Sequence, residues 1–160
     1  MPLAFMHLIV AWIIGKLYEQ VTKLKISSKI WFFLLAGAIL PDLDHLFDWF
    51  LGMSIHRGIT HSLFFAIALS ILVYVLFRKK EFAYALFIGI LVHLLLDFMS
   101  YGGIKFFWPY QQYISIFGTS LAIETNFFAN TLKSLKEILF DLALGVAWFF
   151  YFILNKKIKF

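Results

Sequence analysis

Five apolar runs divide the chain, each close to the roughly 20 residues that a helix needs to cross a bilayer. The first covers Pro2 to about Leu17 and the second Ile30 to about Leu51. The third runs from about Thr60 to Phe77, the fourth from Phe82 to about Tyr101, and the fifth from about Glu137 to Leu154. The joints are polar or glycine-rich: a Lys-bearing link over Lys16–Lys29, the short Gly52–Gly58, the triplet Arg78, Lys79 and Lys80, and Gly102–Gly103. This pattern predicts an all-α fold, a polytopic membrane bundle of about five transmembrane helices. The later half of the second run is interrupted by Pro41, Asp42, Asp44, His45 and Asp48. Pro41 either sets up the last turns of that helix or breaks them.

The longest stretch without a spanning run is Ile104–Lys136. Its cluster of Phe106, Phe107, Trp108, Pro109 and Tyr110 suits the headgroup level, where amphipathic rings anchor. The part around Tyr113–Leu132 is expected to form an interfacial helix or a lid over a site.

Composition agrees with the pattern. Of 160 residues, 62% are hydrophobic and 14% charged, whereas a soluble domain is nearer half apolar and one quarter charged. The 21 phenylalanines exceed what a water-soluble core of this size could hide. The length fits one domain spanning 1–160. There is no cysteine, which excludes disulfides and thiolate ligands and leaves His, Asp, Glu or backbone oxygen for any metal. The N-terminus lacks a basic start and a small-residue cleavage site, so its first run reads as a retained helix.

Charge orients the chain. The net charge is +5, but the basic residues lie in short clusters between apolar runs. That suits anionic headgroups and argues against a nucleic-acid partner. Lys16, Lys23, Lys25 and Lys29 follow the first run; Arg78, Lys79 and Lys80 follow the third; Lys156, Lys157 and Lys159 follow the fifth. Cytoplasmic loops collect Lys and Arg. Five crossings put these three clusters on one side, with the N-terminus outside and the C-terminus in the cytoplasm. Only Arg57, Lys105, Lys133 and Lys136 lie elsewhere.

That topology has a consequence for the ionisable groups. His7, the Pro41–Asp48 segment, His56, Arg57, His61, His93, Asp97 and Asp141 all fall toward the non-cytoplasmic face. Charged groups in a membrane are expensive and face a cavity or a partner, so several at one depth on separate helices point to one shared site. Spacing supports ligation. His93 and Asp97 are four apart and share a helical face, as do Asp42 and His45, three apart. Asp44 and Asp48 would face away from the latter pair. His56 fits the loop before Gly58, and His61 the first turn of the third helix. Imidazole with carboxylate suits Zn, Mn or Fe. The groups present exceed what one tetrahedral ion needs, so either two metals or one metal with carboxylates orienting its histidines would use them.

Each residue alone has a plainer explanation. His7 could make a helix-packing hydrogen bond. His93 could bond Asp97 within its helix, the acids after Pro41 could be a solvated helix end, and Arg57 could bind lipid phosphate. Glu137 and Asp141 suit an interface, and Glu124 lies in the unassigned stretch. These explanations leave unexplained why no histidine lies on the cytoplasmic side.

The motif strings LPDLDH at Leu40–His45, HRGITHS at His56–Ser62 and HLLLDFMSYGG at His93–Gly103, followed by Trp108, Pro109 and Tyr110, resemble the YdjM-like family of inner-membrane, metal-dependent hydrolases. The likeness runs from His7 to about Tyr110. Family members often carry Thr where this chain has Ser100. The family is distantly akin to zinc-dependent phospholipase C and the P1-type nucleases, helical phosphoesterases with clustered zinc ions. The resemblance implies that His7, Asp42, Asp44, His45, His56, His61, His93 and Asp97 form the site, holding one to three divalent ions, zinc foremost.

The expected function is hydrolysis of a phosphoester or lipid-like substrate at the outer membrane face by a metal-activated water. Asp44 is expected to take the water's proton and Arg57 to hold a phosphate oxygen. The expected partners are membrane lipids and an amphiphilic or phosphoester substrate. The competing reading is a metal-binding or metal-transporting membrane protein without catalysis. Transport would require polar groups in the inner halves of the helices, and beyond Ser70 and Tyr74 there are almost none. A third reading, an adaptor acting through its basic loops, has only the short Lys16–Lys29 link to work with.

Overall fold

A computed structural model of the chain describes residues 4–45, 57–99, 103–116, 139, 142–151 and 154. Among these, every regular element is a helix. Helix α1 spans Ala4–Thr22 and α2 Ser28–Ile39, followed by a 3-10 turn over Leu40–Leu43. A second 3-10 turn at Ile59–His61 precedes α3, Leu63–Phe77, and α4 covers Lys80–Phe98. Helix α5 covers Leu142–Tyr151. The only pairing of extended backbone among the described residues is an isolated bridge between Ile104 and Ile114.

Local chemistry explains where these helices start and stop. α1 continues five residues past the expected Leu17, because a charge ends an apolar run without ending a helix. Lys16 and Glu19, three apart on one face, pair at 2.6 Å, and the other Glu19 oxygen accepts the N–H of Ile26 at 2.9 Å. That second bond ties the link back onto α1. The Ser27 hydroxyl caps α2 by accepting from Ile30, and the Ser62 hydroxyl caps α3 by accepting from Phe65. The cap at Ser62 puts His61 in the 3-10 turn ahead of α3, not in its first turn as expected. α2 stops as an α-helix at Ile39, because Pro41 has no N–H for the carbonyl four residues back. The chain continues with the tighter three-residue repeat. The expected continuation to Leu51, and the expected interfacial segment over 117–132, lie outside the described residues.

α4 is the hub of the molecule. It carries two parallel ridges at four-residue spacing. Leu86, Ile90 and Leu94 form an apolar ridge that packs with Ala66 and Val73 of α3 and with Ile104. Beside it run Gly89, His93 and Asp97, all buried. The glycine of this ridge meets Gly37 of α2. A Cβ on Gly89 would run into the Leu34 carbonyl, and one on Gly37 into the Leu86 carbonyl. With no side chain at either position, the two backbones touch, and the next turns of both helices are brought together. α5 rests on α1, with Gly145 against Phe5 and Trp12 edge-on to Trp148 and Tyr151.

By length and composition, one helix among the described residues is able to cross a membrane: α4, Lys80–Phe98. α3 and α5 are shorter apolar helices.

Candidate metal centre

Three segments converge beyond the Gly37–Gly89 crossing. The 3-10 turn after α2 supplies Asp42, the turn before α3 ends on His61, and α4 contributes His93 and Asp97 four residues apart. One donor atom from each of the four lies within 4.8 Å of all the others. His61 and His93 are fully buried and Asp97 nearly so, whereas the Asp42 side chain keeps 18% exposure.

The distances fit a four-coordinate ion. The two Nε2 atoms are 3.2 Å apart. His61 Nε2 stands 3.5 Å from Asp42 Oδ1 and 3.2 Å from Asp97 Oδ2. His93 Nε2 stands 3.5 Å from Asp42 Oδ1 and 3.6 Å from Asp97 Oδ2. Donors about 2.0–2.1 Å from a tetrahedral ion are separated by roughly 3.3–3.4 Å along each edge. Five edges of the cage therefore match that figure within a few tenths of an ångström.

Proton positions point the same way. His93 Nδ1 lies 2.9 Å from the carbonyl oxygen of Ala38. A carbonyl only accepts, so Nδ1 carries a proton, and in the neutral ring Nε2 presents a lone pair to the cage. On His61, Nδ1 lies 3.2 Å from Asp44 Oδ2 and 3.0 Å from the Thr60 hydroxyl, which itself donates to Asp44. Both rings thus turn their Nε2 atoms toward each other at 3.2 Å, beside the Asp42 and Asp97 carboxylates, an arrangement that a cation between them would satisfy. The buried Asp97 carboxylate points the same way, since burial without a countercharge is costly.

The remaining expected site residues fall around this cage. Asp44 is buried behind His61, on the ring edge away from the four donors, where it orients the imidazole. His7 stacks on His93 with ring centres 3.9 Å apart, and its Nε2 lies 3.9 Å from Asp97 Oδ1, the oxygen opposite the one facing His61 and His93. His45 is exposed and is not one of the four. The side chain after Asp42 that turns inward is Asp44. Arg57 adopts the left-handed region at φ 63°, and its Nη1 donates to the Gly103 carbonyl at 3.2 Å. It joins the loop before His61 to the loop after Asp97. Gly103, at φ 65°, packs against the Ile114 backbone, where a Cβ would clash. His56, Asp48, Glu124, Glu137 and Asp141 lie outside the described residues.

Two participants were not among the expected residues. Thr60, between Asp44 and His61, had a faint signal: a hydroxyl adjacent to a candidate ligand. The Ala38 carbonyl had none, because a backbone oxygen leaves no mark in a sequence.

Comparison with curated proteins finds no match, and comparison with solved structures finds none either. A family model, in contrast, covers almost the entire chain, residues 1–158, well beyond the motif-bearing part that ends near Tyr110. On that match, the chain belongs to the YdjM inner membrane protein family.

Proposed function

We propose that this chain is a membrane-embedded, metal-dependent hydrolase that cleaves a phosphoester or related ester near the non-cytoplasmic face. The observation that carries the reading is the four-donor cage with both Nδ1 atoms committed elsewhere. His61, His93 and Asp97 would hold one divalent ion with the fourth position left to water beside Asp42, and the nitrogen–oxygen donor set suits zinc ahead of Mn or Fe. When bound, such an ion lowers the pKa of a coordinated water toward about 7 and polarises the ester oxygen.

The chain's own groups do the rest. Asp44 and Thr60 hold the His61 ring in place, and the Ala38 carbonyl holds that of His93. Asp42 is the most exposed of the four and occupies the open side of the cage, so it is better placed than Asp44 to accept the water's proton and pass it to the leaving oxygen. The water oxygen joins phosphorus, the P–O bond to the alcohol breaks, and the alcohol leaves protonated. The planar Arg57 guanidinium, in the loop before His61, is of the type that suits a phosphate oxygen.

The membrane setting rests on the inner-membrane family and on an inverted distribution of polarity. His7, Asp44, His61, His93 and Asp97 are buried, while Ile67, Ile71, Leu72, Val75 and Leu76 of α3 are exposed. Patches of this kind mark membrane or partner contacts. On this basis the chain crosses about five times, with the N-terminus outside and the basic clusters in the cytoplasm.

One observation favours a second reading. A cage closed by four protein donors is the pattern of non-catalytic zinc sites, whereas catalytic sites keep one position for water. The alternative is therefore a metal-binding membrane module, and the exposure of Asp42 is what favours catalysis. The deciding experiment is to purify the full chain in mild detergent, count bound metal, and assay a panel of phosphoesters and acyl esters. Metal with turnover, both abolished by His93→Ala, supports the hydrolase. Metal without turnover supports the module, and absence of metal in zinc-loaded protein refutes both.

A further inference from the structure

A groove of about 410 Å³ runs along the outside of α2, from Phe32 to Leu43, against Leu69 and Val73 of α3. Every residue lining it is apolar. We infer that this groove seats one hydrocarbon chain of the substrate, a phosphate-bearing lipid whose headgroup is presented to the Asp42–His61–His93–Asp97 cage. This inference rests on the hydrolase reading and names its substrate class.

Three observations support it. The first is continuity. Leu40 and Leu43 line the upper end of the groove, and both belong to the 3-10 turn that carries Asp42. Residues three apart on a 3-10 helix eclipse each other, so Leu40 and Leu43 share the groove face. Asp42 lies a third of a turn round, toward the cage. A chain lying in the groove therefore ends at the turn that bears a metal-cage carboxylate.

The second is length. The eleven steps from Phe32 to Leu43 rise about 16–18 Å at helical pitch. That is a little over half of a hydrocarbon core about 30 Å thick, the depth of one leaflet's acyl chains.

The third is charge. Apolar along its length, the path ends at the turn that bears Asp42 of the cage, and a cation held there is complementary to a phosphodiester or phosphomonoester. The comparable groove between α3 and α4, about 460 Å³, differs on both counts. It is lined in part by Ser70, Tyr74 and Lys80, and Lys80 begins α4, about 20 Å along the helix from His93. Of these two grooves, the α2–α3 one is wholly apolar and ends at the turn that carries Asp42.

The test uses the full chain in phosphatidylcholine vesicles, zinc-loaded. Because the chain has no cysteine, Phe32→Cys places a single fluorophore at the far end of the groove, at a position 66% exposed. A non-hydrolysable lipid phosphonate, brominated on its chain and present as a minor component, is the quencher. Quenching should saturate near one ligand per chain. Filling the groove by Ala36→Phe, or from the opposite wall by Leu69→Phe, should weaken it at least tenfold. Quenching that rises linearly with brominated lipid and ignores both substitutions means bulk lipid only and overturns the inference.

A parallel assay compares a long-chain phosphoester with a water-soluble short-chain one. Both groove variants should lose at least tenfold in kcat/KM for the long-chain ester and retain metal content and short-chain turnover, which also reports that they fold. Equal loss on both substrates, or on neither, overturns the inference. Short-chain turnover with non-saturable quenching sinks the groove and leaves the hydrolase standing. Saturable quenching with neither ester cleaved sinks the hydrolase, and with it the assignment of the bound lipid as substrate.

Discussion

His93 Nδ1 donates to the Ala38 carbonyl across the contact between α4 and α2, at 2.9 Å. The bond has a local origin. The change to a three-residue repeat at Leu40 leaves carbonyls in the last turn of α2 without their usual donors, and one of them holds Nδ1 of a histidine in the four-donor cluster. The bond therefore links the Pro41 break to the chemistry of the site. His93→Ala is expected to lower zinc affinity by well over the 10–100-fold typical of losing an outer partner, as read by metal analysis after gel filtration. His93→Gln, which retains a hydrogen-bonding side chain but not the imidazole, should not restore it.

Metal should also stabilise the fold. A ligand that binds only the native state adds about 2.7 kcal/mol when present at 100 times its Kd. Zinc is therefore expected to raise the melting temperature of the detergent-solubilised protein, and chelator to reverse the shift. In Asp97→Asn the shift should vanish. A shift of equal size in that variant would place the metal elsewhere.

Asp44 and Thr60 should behave as a pair. Asp44→Asn and Thr60→Val each remove part of what holds His61 Nδ1, and each is expected to weaken zinc about 10–100-fold while sparing the fold. Because both act on one ring, the double variant should lose much less than the product of the two single losses. Full additivity in a titration series would show that they act independently.

The glycine contact sets the register of the site. Gly89→Ala forces a Cβ onto the Leu34 backbone, where no flexible side chain can yield. It is expected to cost about 1–3 kcal/mol by overpacking. It should also move His93 relative to Ala38, so thermal stability and zinc content should fall together.

Arg57 sits at φ 63°, a conformation that glycine adopts without strain. Arg57→Gly therefore removes the guanidinium without disturbing the backbone. If Arg57 holds the phosphate, kcat/KM should drop about 10–100-fold, the worth of a charged hydrogen bond, with zinc content unchanged. Loss of zinc in Arg57→Gly would instead make Arg57 a brace between the loops at His61 and Gly103.

Orientation is open to labelling. Gln112→Cys, at an exposed position in the loop after α4, should react with impermeant reagents from the non-cytoplasmic side, and Lys79→Cys only from the cytoplasm. The reverse pattern would invert the topology.

Much of this was legible in the chain itself. The apolar runs announced the helices, and the four-residue spacing of His93 and Asp97 announced a shared face, because burial repeats with helical period. The motifs marked Asp42 and His61. The rest was not legible, for physical reasons. His45 looked equivalent to Asp42 by spacing, but it is exposed, while Asp44 beside it is buried against His61. Asp44 and Asp42 are chemically identical, and which one faces the cage depends on how the turn after Pro41 meets the turn at His61.

The sequence alone thus determined an inner-membrane family, an all-helical chain and the donor types for a metal. Those properties are carried by composition, local period and short motifs. Tertiary structure decided which four donors meet and which carboxylate stands behind a ring. It also decided that a backbone carbonyl holds Nδ1 of His93. These outcomes depend on the depth at which separate helices cross, and that depth is set by the contact of Gly37 with Gly89, two residues with no side chain to advertise the role.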